Sequence, residues 1–230
     1  MYSLYLFDFD YTLVNSEQGI VGCFRRTIEK WNLPPVDDDT IRHTIGLPME
    51  KAVAIITGLT NASEINRFID DYRRDADIHM TPGTHFFPDT LPTLRALRAR
   101  GAKIAIISTK TRSRIEEKFI ADHCTDLIDR IIGCEDVTAM KPDPEGIEKA
   151  ITFFGAKKEA VLYTGDSLVD AGAAKNAGVA FAAVTTGTTP AEAFADVPHV
   201  RIMNRLSELL DFSEKHYRPT AFPSGEGGPR

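Results

Sequence analysis

The feature that most constrains this chain is a change of rhythm. From Ser16 to Met80 the apolar residues recur only at the three- and four-residue spacing of helices, whereas from Phe86 onward amphipathic segments alternate with short apolar runs. In that later part the spacing predicts helices over 89–100, 112–122, 144–154 and 168–177, three of them stopped by Gly101, Gly155 and Gly178. The runs at 103–108, 127–132, 160–165 and 180–184 are predicted strands, and residues 2–9 supply another. Strands that alternate with helices pair in parallel, and a parallel sheet needs helices on both faces. The expected fold class is therefore α/β, a doubly wound parallel sheet.

The purely helical stretch interrupts this pattern just after the first strand. Ile20, Phe24, Ile28 and Trp31 mark one helix, and a second runs from Asp37 toward Gly46. A third carries Pro48 in its first turn and stops at Gly58, and a fourth carries Ile65, Phe68, Ile69 and Tyr72. The expected organisation is an α/β core built from 1–15 and 82–217, an inserted helical bundle over 16–81, and a loose, Pro- and Gly-rich tail over 218–230. A chain of 230 residues can bury a core of this size.

Composition removes several function classes. The net charge of -6, with no long basic run, argues against nucleic acid as a partner. No apolar run approaches the ~18 residues of a membrane helix, and the first residues lack the basic-then-apolar design of a secretory signal, so no membrane association and a cytoplasmic location are expected. Cys23, Cys124 and Cys134 are odd in number and form no C-x-x-C pattern, which argues for reduced thiols and against a thiolate zinc site. Nothing in the sequence speaks to oligomeric state.

Open parallel sheets collect functional residues at the carboxyl ends of their strands. The first run ends in Asp8 and Asp10, which alternation along a strand would point to the same side, where two carboxylates repel unless a cation or a shared proton intervenes. The run Ile104–Ile107 leads to Ser108, Thr109 and Lys110, and the run Val161–Thr164 leads to Gly165, Asp166 and Ser167, with Asp170 a turn later. The strand near 127–132 is followed by a loop that delivers Lys141 just before the Asp143-Pro144 helix start. Each of these residues has an ordinary use: a hydroxyl after a strand caps a helix, most lysines are solvated, and an aspartate in a first helical turn offsets the dipole. Their joint arrival at successive strand ends points instead to one site. Three or four carboxylates there repel by several kcal/mol when partly desolvated, which a divalent cation with oxygen ligands resolves, and magnesium suits that donor set. A lysine and a hydroxyl facing the cation would hold phosphoryl oxygens, so the expected chemistry is phosphoryl transfer on a small phosphorylated metabolite.

Four segments, in order, resemble the motifs of the haloacid dehalogenase superfamily, in its phosphoglycolate phosphatase-like branch with a helical cap. They are Asp8-Phe9-Asp10-Tyr11-Thr12-Leu13, Ser108-Thr109-Lys110, Lys141-Pro142 and Gly165-Asp166-Ser167-Leu168-Val169-Asp170. The resemblance implies a Rossmann-like core and a magnesium-dependent phosphatase working through an aspartyl phosphate. It makes Asp8 the nucleophile and Asp10 the general acid and base. It assigns the cation to Asp8, the main-chain carbonyl of Asp10 and Asp166, with Asp170 acting through water or as an outer hydrogen-bond acceptor. Ser108, Thr109 and Lys141 would bind phosphoryl oxygens, helped by backbone amides between Phe9 and Tyr11. In the cap, Arg42, His43 and Thr44-Ile45-Gly46 resemble a substrate-contacting region, with Arg42 the candidate side chain.

Two positions depart from that branch: Tyr11 stands where it usually has glycine, and Asn15 where it often has aspartate. Phosphomutase and pyrophosphatase chemistry use the same aspartates and remain open. Dehalogenation is disfavoured by the second aspartate, and phosphonate hydrolysis by the lack of a cap lysine in the expected context, although Lys51 keeps it open. A phospho-receiver module uses similar groups, but resembles a chain of about half this length with no helical insert.

Overall fold

The computed structural model describes residues 2–211. The tail expected over 218–230 lies outside the described residues, as do 212–217. Strand β1 (Leu4–Phe7) is buried along its whole length, as a central strand of a parallel sheet must be. It leads through a tight turn into β2 (Val14–Asn15) and then into four helices: α1 (Glu17–Lys30), α2 (Asp38–Arg42), α3 (Met49–Thr57) and α4 (Ala62–His79). The chain returns through β3 (His85–Phe86) and winds α5 (Thr90–Ala99), β4 (Lys103–Ile107), α6 (Arg112–Ala121), β5 (Arg130–Ile132), α7 (Glu145–Phe154), β6 (Val161–Gly165), α8 (Leu168–Ala177), β7 (Ala180–Val184) and β8 (Arg201–Met203).

Six strands form one sheet in the order β5-β4-β1-β6-β7-β8, every pair parallel. Alternation along β1 divides the core: Tyr5 and Phe7 join a cluster with Leu94, Ile104 and Phe119 on one face, while Leu4 and Leu6 join Ala105, Ile147 and Tyr163 on the other. The chain passes from β4 and β5 to β6 and β7 on either side of β1, and the residues beyond β1, β4 and β6 meet at that central crevice.

The helical stretch packs around its own core, with Phe24, Ile41, Val53, Phe68 and Tyr72 at its centre. Its ends follow from local chemistry. The Asn61 side chain accepts from the backbone N–H groups of Ser63 and Glu64 to start α4, and Gly58 ends α3 in the left-handed region. Asn15 receives the Glu17 N–H at 3.0 Å, so the residue that departs from the branch pattern helps to start α1. Among the described residues no helix is long and apolar enough to cross a membrane.

The structure differs from the sequence expectation in several places. β2 and β3 pair antiparallel, Val14 with Phe86 and Asn15 with His85, where the two chain crossings between sheet and helices run side by side. At two residues each they are too short to show a periodic pattern. A sixth sheet strand, β8, was not expected, because at three residues it too is short for a periodic pattern. The helix expected from Asp37 toward Gly46 ends at Arg42 and continues as turns. Beside the crossings, Gly19 donates its N–H to the Gly83 carbonyl at 3.0 Å, and a Cβ on Gly83 would lie 2.6 Å from the Gly19 Cα. Only glycine permits that approach.

Candidate active site

Asp8 lies one residue past β1, its N–H still bonded to the Thr164 carbonyl of β6. It therefore faces the end of β6, which delivers Asp166, and the first turn of α8, which delivers Asp170. Carboxylate oxygens of these three buried residues lie within 4.8 Å of one another. One ammonium sits among them. Lys141 Nζ is 2.9 Å from Asp8 Oδ1 and 2.7 Å from Asp170 Oδ1, and it donates to the Tyr163 hydroxyl at 3.1 Å.

Asp170 is fully enclosed and fully bonded. Its Oδ1 accepts from Lys141 and Tyr163, and its Oδ2 accepts from the Ser167 hydroxyl and backbone N–H, part of a capping box that starts α8. With both oxygens committed, Asp170 holds Lys141 in place. Asp8 and Asp166 are different. Lys141 meets only Oδ1 of Asp8, and the Thr12 hydroxyl donates only to Oδ1 of Asp166, at 3.0 Å. Gly187, in the loop after β7, lies so close that a Cβ there would fall 1.9 Å from Asp166 Oδ2.

Electrostatics follow from one cation against three carboxylates. Burial pushes the Asp8 carboxyl up to about 7, against the pull of Lys141 and with a further push from Asp170. Burial, Asp170 and Asp8 together raise Asp166 well above the carboxylate range. Burial works against the Lys141 charge, and the carboxylates of Asp170 and Asp8 outweigh it, so its pKa stays above the ordinary lysine value. Unbalanced buried carboxylates with an oxygen left over on Asp8 and on Asp166 fit a hard divalent cation.

Asp10 looks elsewhere. Sequence alternation put both aspartates on one strand face, but β1 ends at Phe7, and the Phe9 carbonyl gathers the N–H groups of Leu13 and Val14 into a turn that places Asp10. Its Oδ1 receives Lys110 Nζ at 2.8 Å, and it lines a cavity of about 290 Å³ beneath the helices. Thr109 lines the same cavity and donates to the Gly46 carbonyl at 3.2 Å, while Ser108 is buried and accepts the Lys110 N–H. Tyr11 takes the left-handed conformation that glycine would otherwise supply, with φ of 60°, and its buried side chain donates to Glu17 Oε2 at 3.2 Å. Glu17 also pairs with Arg42, whose guanidinium is shared with Asp39; Arg42 is not among the residues lining the cavity.

Sequence reasoning gave no role to Lys110, Tyr163, Thr12 or the turn where Thr186 donates its hydroxyl to the Tyr11 carbonyl and Gly187 meets Asp166. Lys110 was in view beside Ser108 and Thr109, and Thr12 within the first motif. Thr186 and Gly187 follow β7 as the other groups follow their strands, so the same strand-end rule would have found them.

A model of the haloacid dehalogenase-like hydrolase family matches residues 5–184, which contain Asp8, Asp10, Ser108, Lys110, Lys141, Asp166 and Asp170. The chain belongs to the haloacid dehalogenase-like hydrolase family. Similar members include the pyrophosphatase PpaX of Halalkalibacterium halodurans, 27% identical over 206 residues that cover 90% of this chain and 94% of that protein. Another, named Probable phosphatase IndB, from Dickeya dadantii, is 31% identical over 215 residues, 91% of this chain and 93% of its own length. The crystal structure of a haloacid dehalogenase-like hydrolase from Bacteroides fragilis superposes with a TM-score of 0.88 at 48% identity, covering 91% of this chain and all of that one. In this family member the buried acidic cluster at the carboxyl edge of the sheet fits a metal site.

Proposed function

We propose that the protein is a magnesium-dependent phosphatase that hydrolyses a small phosphomonoester through an aspartyl phosphate on Asp8. The observation that carries this reading is the division of the site. A carboxylate with one uncommitted oxygen sits beside a buried lysine, and a second carboxylate, Asp10, opens onto the cavity where a leaving group would lie. Asp8 and Asp166 would hold the cation, which would supply charge neutralisation for the carboxylates and the phosphoryl group. Asp170, both oxygens engaged, serves by orienting Lys141.

In the proposed reaction an Asp8 oxygen attacks phosphorus as the bond to the ester oxygen breaks, and Asp10 delivers a proton to that departing oxygen. Asp10 then takes a proton from water as the water oxygen attacks phosphorus and the Asp8–phosphorus bond breaks, giving inorganic phosphate and free Asp8. Lys141 draws the dianionic phosphoryl group to Asp8, and the Ser108 hydroxyl lies at the neighbouring strand end to donate to its oxygens, while the Thr109 hydroxyl is given to the Gly46 carbonyl. Lys110 holds the Asp10 carboxyl at the cavity floor. Residues 16–81 form the cap of this reading. Arg114 pairs with Asp77, Thr81 donates to Glu117, and Thr109 reaches Gly46, contacts that support a cap seated on the core beside the cavity.

Phosphate release from p-nitrophenyl phosphate with magnesium tests this. The wild-type protein is expected to turn over, and Asp8→Asn to lose about a thousandfold or more in kcat. Equal rates for the two would refute the nucleophile assignment. Pyrophosphate hydrolysis is a second reading, favoured by the named activity of the PpaX relative.

A further inference from the structure

The cavity above Asp10 has two unlike walls. On the sheet side lie Asp10, Thr109, Lys110 and Arg114; on the helical side Arg73 and Asp77 stand beside an apolar patch of Phe24, Leu47, Met49 and Met80. Its cations are already committed on the sheet side, Lys110 to Asp10 and Arg114 to Asp77 and Glu117. Arg73, the remaining cation of the lining, has 57% of its side chain exposed, so water screens its charge and it offers little to an anionic leaving group.

Size and polarity limit what can fill this space. The cavity of about 290 Å³ holds roughly ten water-sized groups at about 30 Å³ each. An orthophosphate or glycolate leaving group, with about five non-hydrogen atoms, would fill about half of it and leave water against the apolar wall. Tyr72 adds a second constraint. It is 4% exposed, lines the cavity, and its hydroxyl makes no hydrogen bond among the described residues. Burial raises its pKa, Cys23 and Asp10 raise it further and Arg114 opposes them, so the hydroxyl stays protonated and able to donate. The hydroxyl opens onto the cavity, where it can donate to an acceptor on a bound molecule.

We propose that the preferred substrates are phosphomonoesters of a neutral alcohol of roughly ten non-hydrogen atoms, whose apolar body packs on Phe24, Leu47, Met49 and Met80 and whose one further oxygen or nitrogen accepts from Tyr72. The inference rests on the phosphatase reading and turns it away from pyrophosphate and carboxylated leaving groups.

The test compares kcat/KM, with magnesium, for ethyl, hexyl and 2-benzyloxyethyl phosphate, all esters of primary alcohols, beside 2-phosphoglycolate and pyrophosphate. Hexyl phosphate is expected to exceed ethyl phosphate, 2-phosphoglycolate and pyrophosphate by about tenfold or more, and 2-benzyloxyethyl phosphate to exceed hexyl phosphate. Met49→Gln or Leu47→Asn, at half-buried positions, should narrow the hexyl-to-ethyl ratio, and Tyr72→Phe should narrow the benzyloxyethyl-to-hexyl ratio. Calorimetric binding of hexylphosphonate against methylphosphonate, neither of which carries a cleavable ester, should show the same preference. A flat ester series, a faster rate on 2-phosphoglycolate, or equal binding of the two phosphonates overturns the inference and leaves the phosphatase reading standing; a faster rate on pyrophosphate overturns the inference and favours the pyrophosphatase reading. No phosphate from any substrate, with hexylphosphonate still bound about tenfold tighter, overturns the phosphatase reading and keeps the apolar subsite.

Discussion

Replacing Lys141 with methionine keeps the apolar stem of the side chain out to Cε and removes the one cation among three buried carboxylates. At 2.9 Å from Asp8 and 2.7 Å from Asp170, the attraction is about 6 kcal/mol for each pair at an effective dielectric of about 20. Desolvation cancels much of this, and breaking a buried pair costs about 3–5 kcal/mol in practice. A loss of about 3 kcal/mol at pH 6 in the presence of EDTA is therefore expected. The loss should grow with pH, and the sign follows from Asp8. Its folded value stands near 7, above that of the unfolded chain, so the stability from its protonated form is present at low pH and gone once pH passes about 7 in the wild-type protein. Lys141 pulls that value down; without it, the variant's value lies higher, and the variant goes on losing up to about 1.4 kcal/mol per pH unit above 7 while the wild type does not. At pH 8.5 the total should approach 5 kcal/mol. Urea unfolding of both proteins at pH 6 and 8.5, with the denaturant slope unchanged, measures it. A loss that is equal at both pH values, or smaller at the higher one, would refute the electrostatic account.

Protons and a divalent cation compete for Asp8 and Asp166, so the rise in Tm on adding magnesium should be larger at pH 8 than at pH 6; a rise of the same size at both would show that these carboxylates are not the ligands. Arg42→Ala should leave kcat/KM within about fivefold of the wild type and the Tm nearly unchanged, because its guanidinium is shared between Glu17 and Asp39 rather than lining the cavity. A loss of about a hundredfold in kcat/KM would place Arg42 on the substrate.

Much of the sheet was legible because burial on both faces forces continuous apolar runs, and a run that stops at the sheet edge announces the polar residue that follows. That is how Asp8, Ser108 and Asp166 came into view. Lys141 was found through its loop, but no periodicity signals that Tyr163, an inward residue of β6, would hold Asp170 through its hydroxyl, since a tyrosine in an apolar run reads as core. The different surroundings of Asp8 and Asp10 were hidden for another reason. Alternation governs residues inside a strand, and β1 ends one residue before Asp8, so a turn decides where Asp10 goes. β2, β3 and β8 escaped because two or three residues cannot establish a period.

The paired crossings at β2 and β3 give the two aspartates different moorings. Gly19 is seated against Gly83 and Val14 is paired to Phe86, so the two chain crossings are held side by side. Val14 is also bridged to Asp10, and its carbonyl takes the Tyr11 N–H at 2.8 Å. Asp10 is thereby tied to the crossings that carry the helices, while Asp8, its N–H bonded to Thr164, is tied to the sheet. Two aspartates two residues apart in sequence take their positions from different parts of the fold.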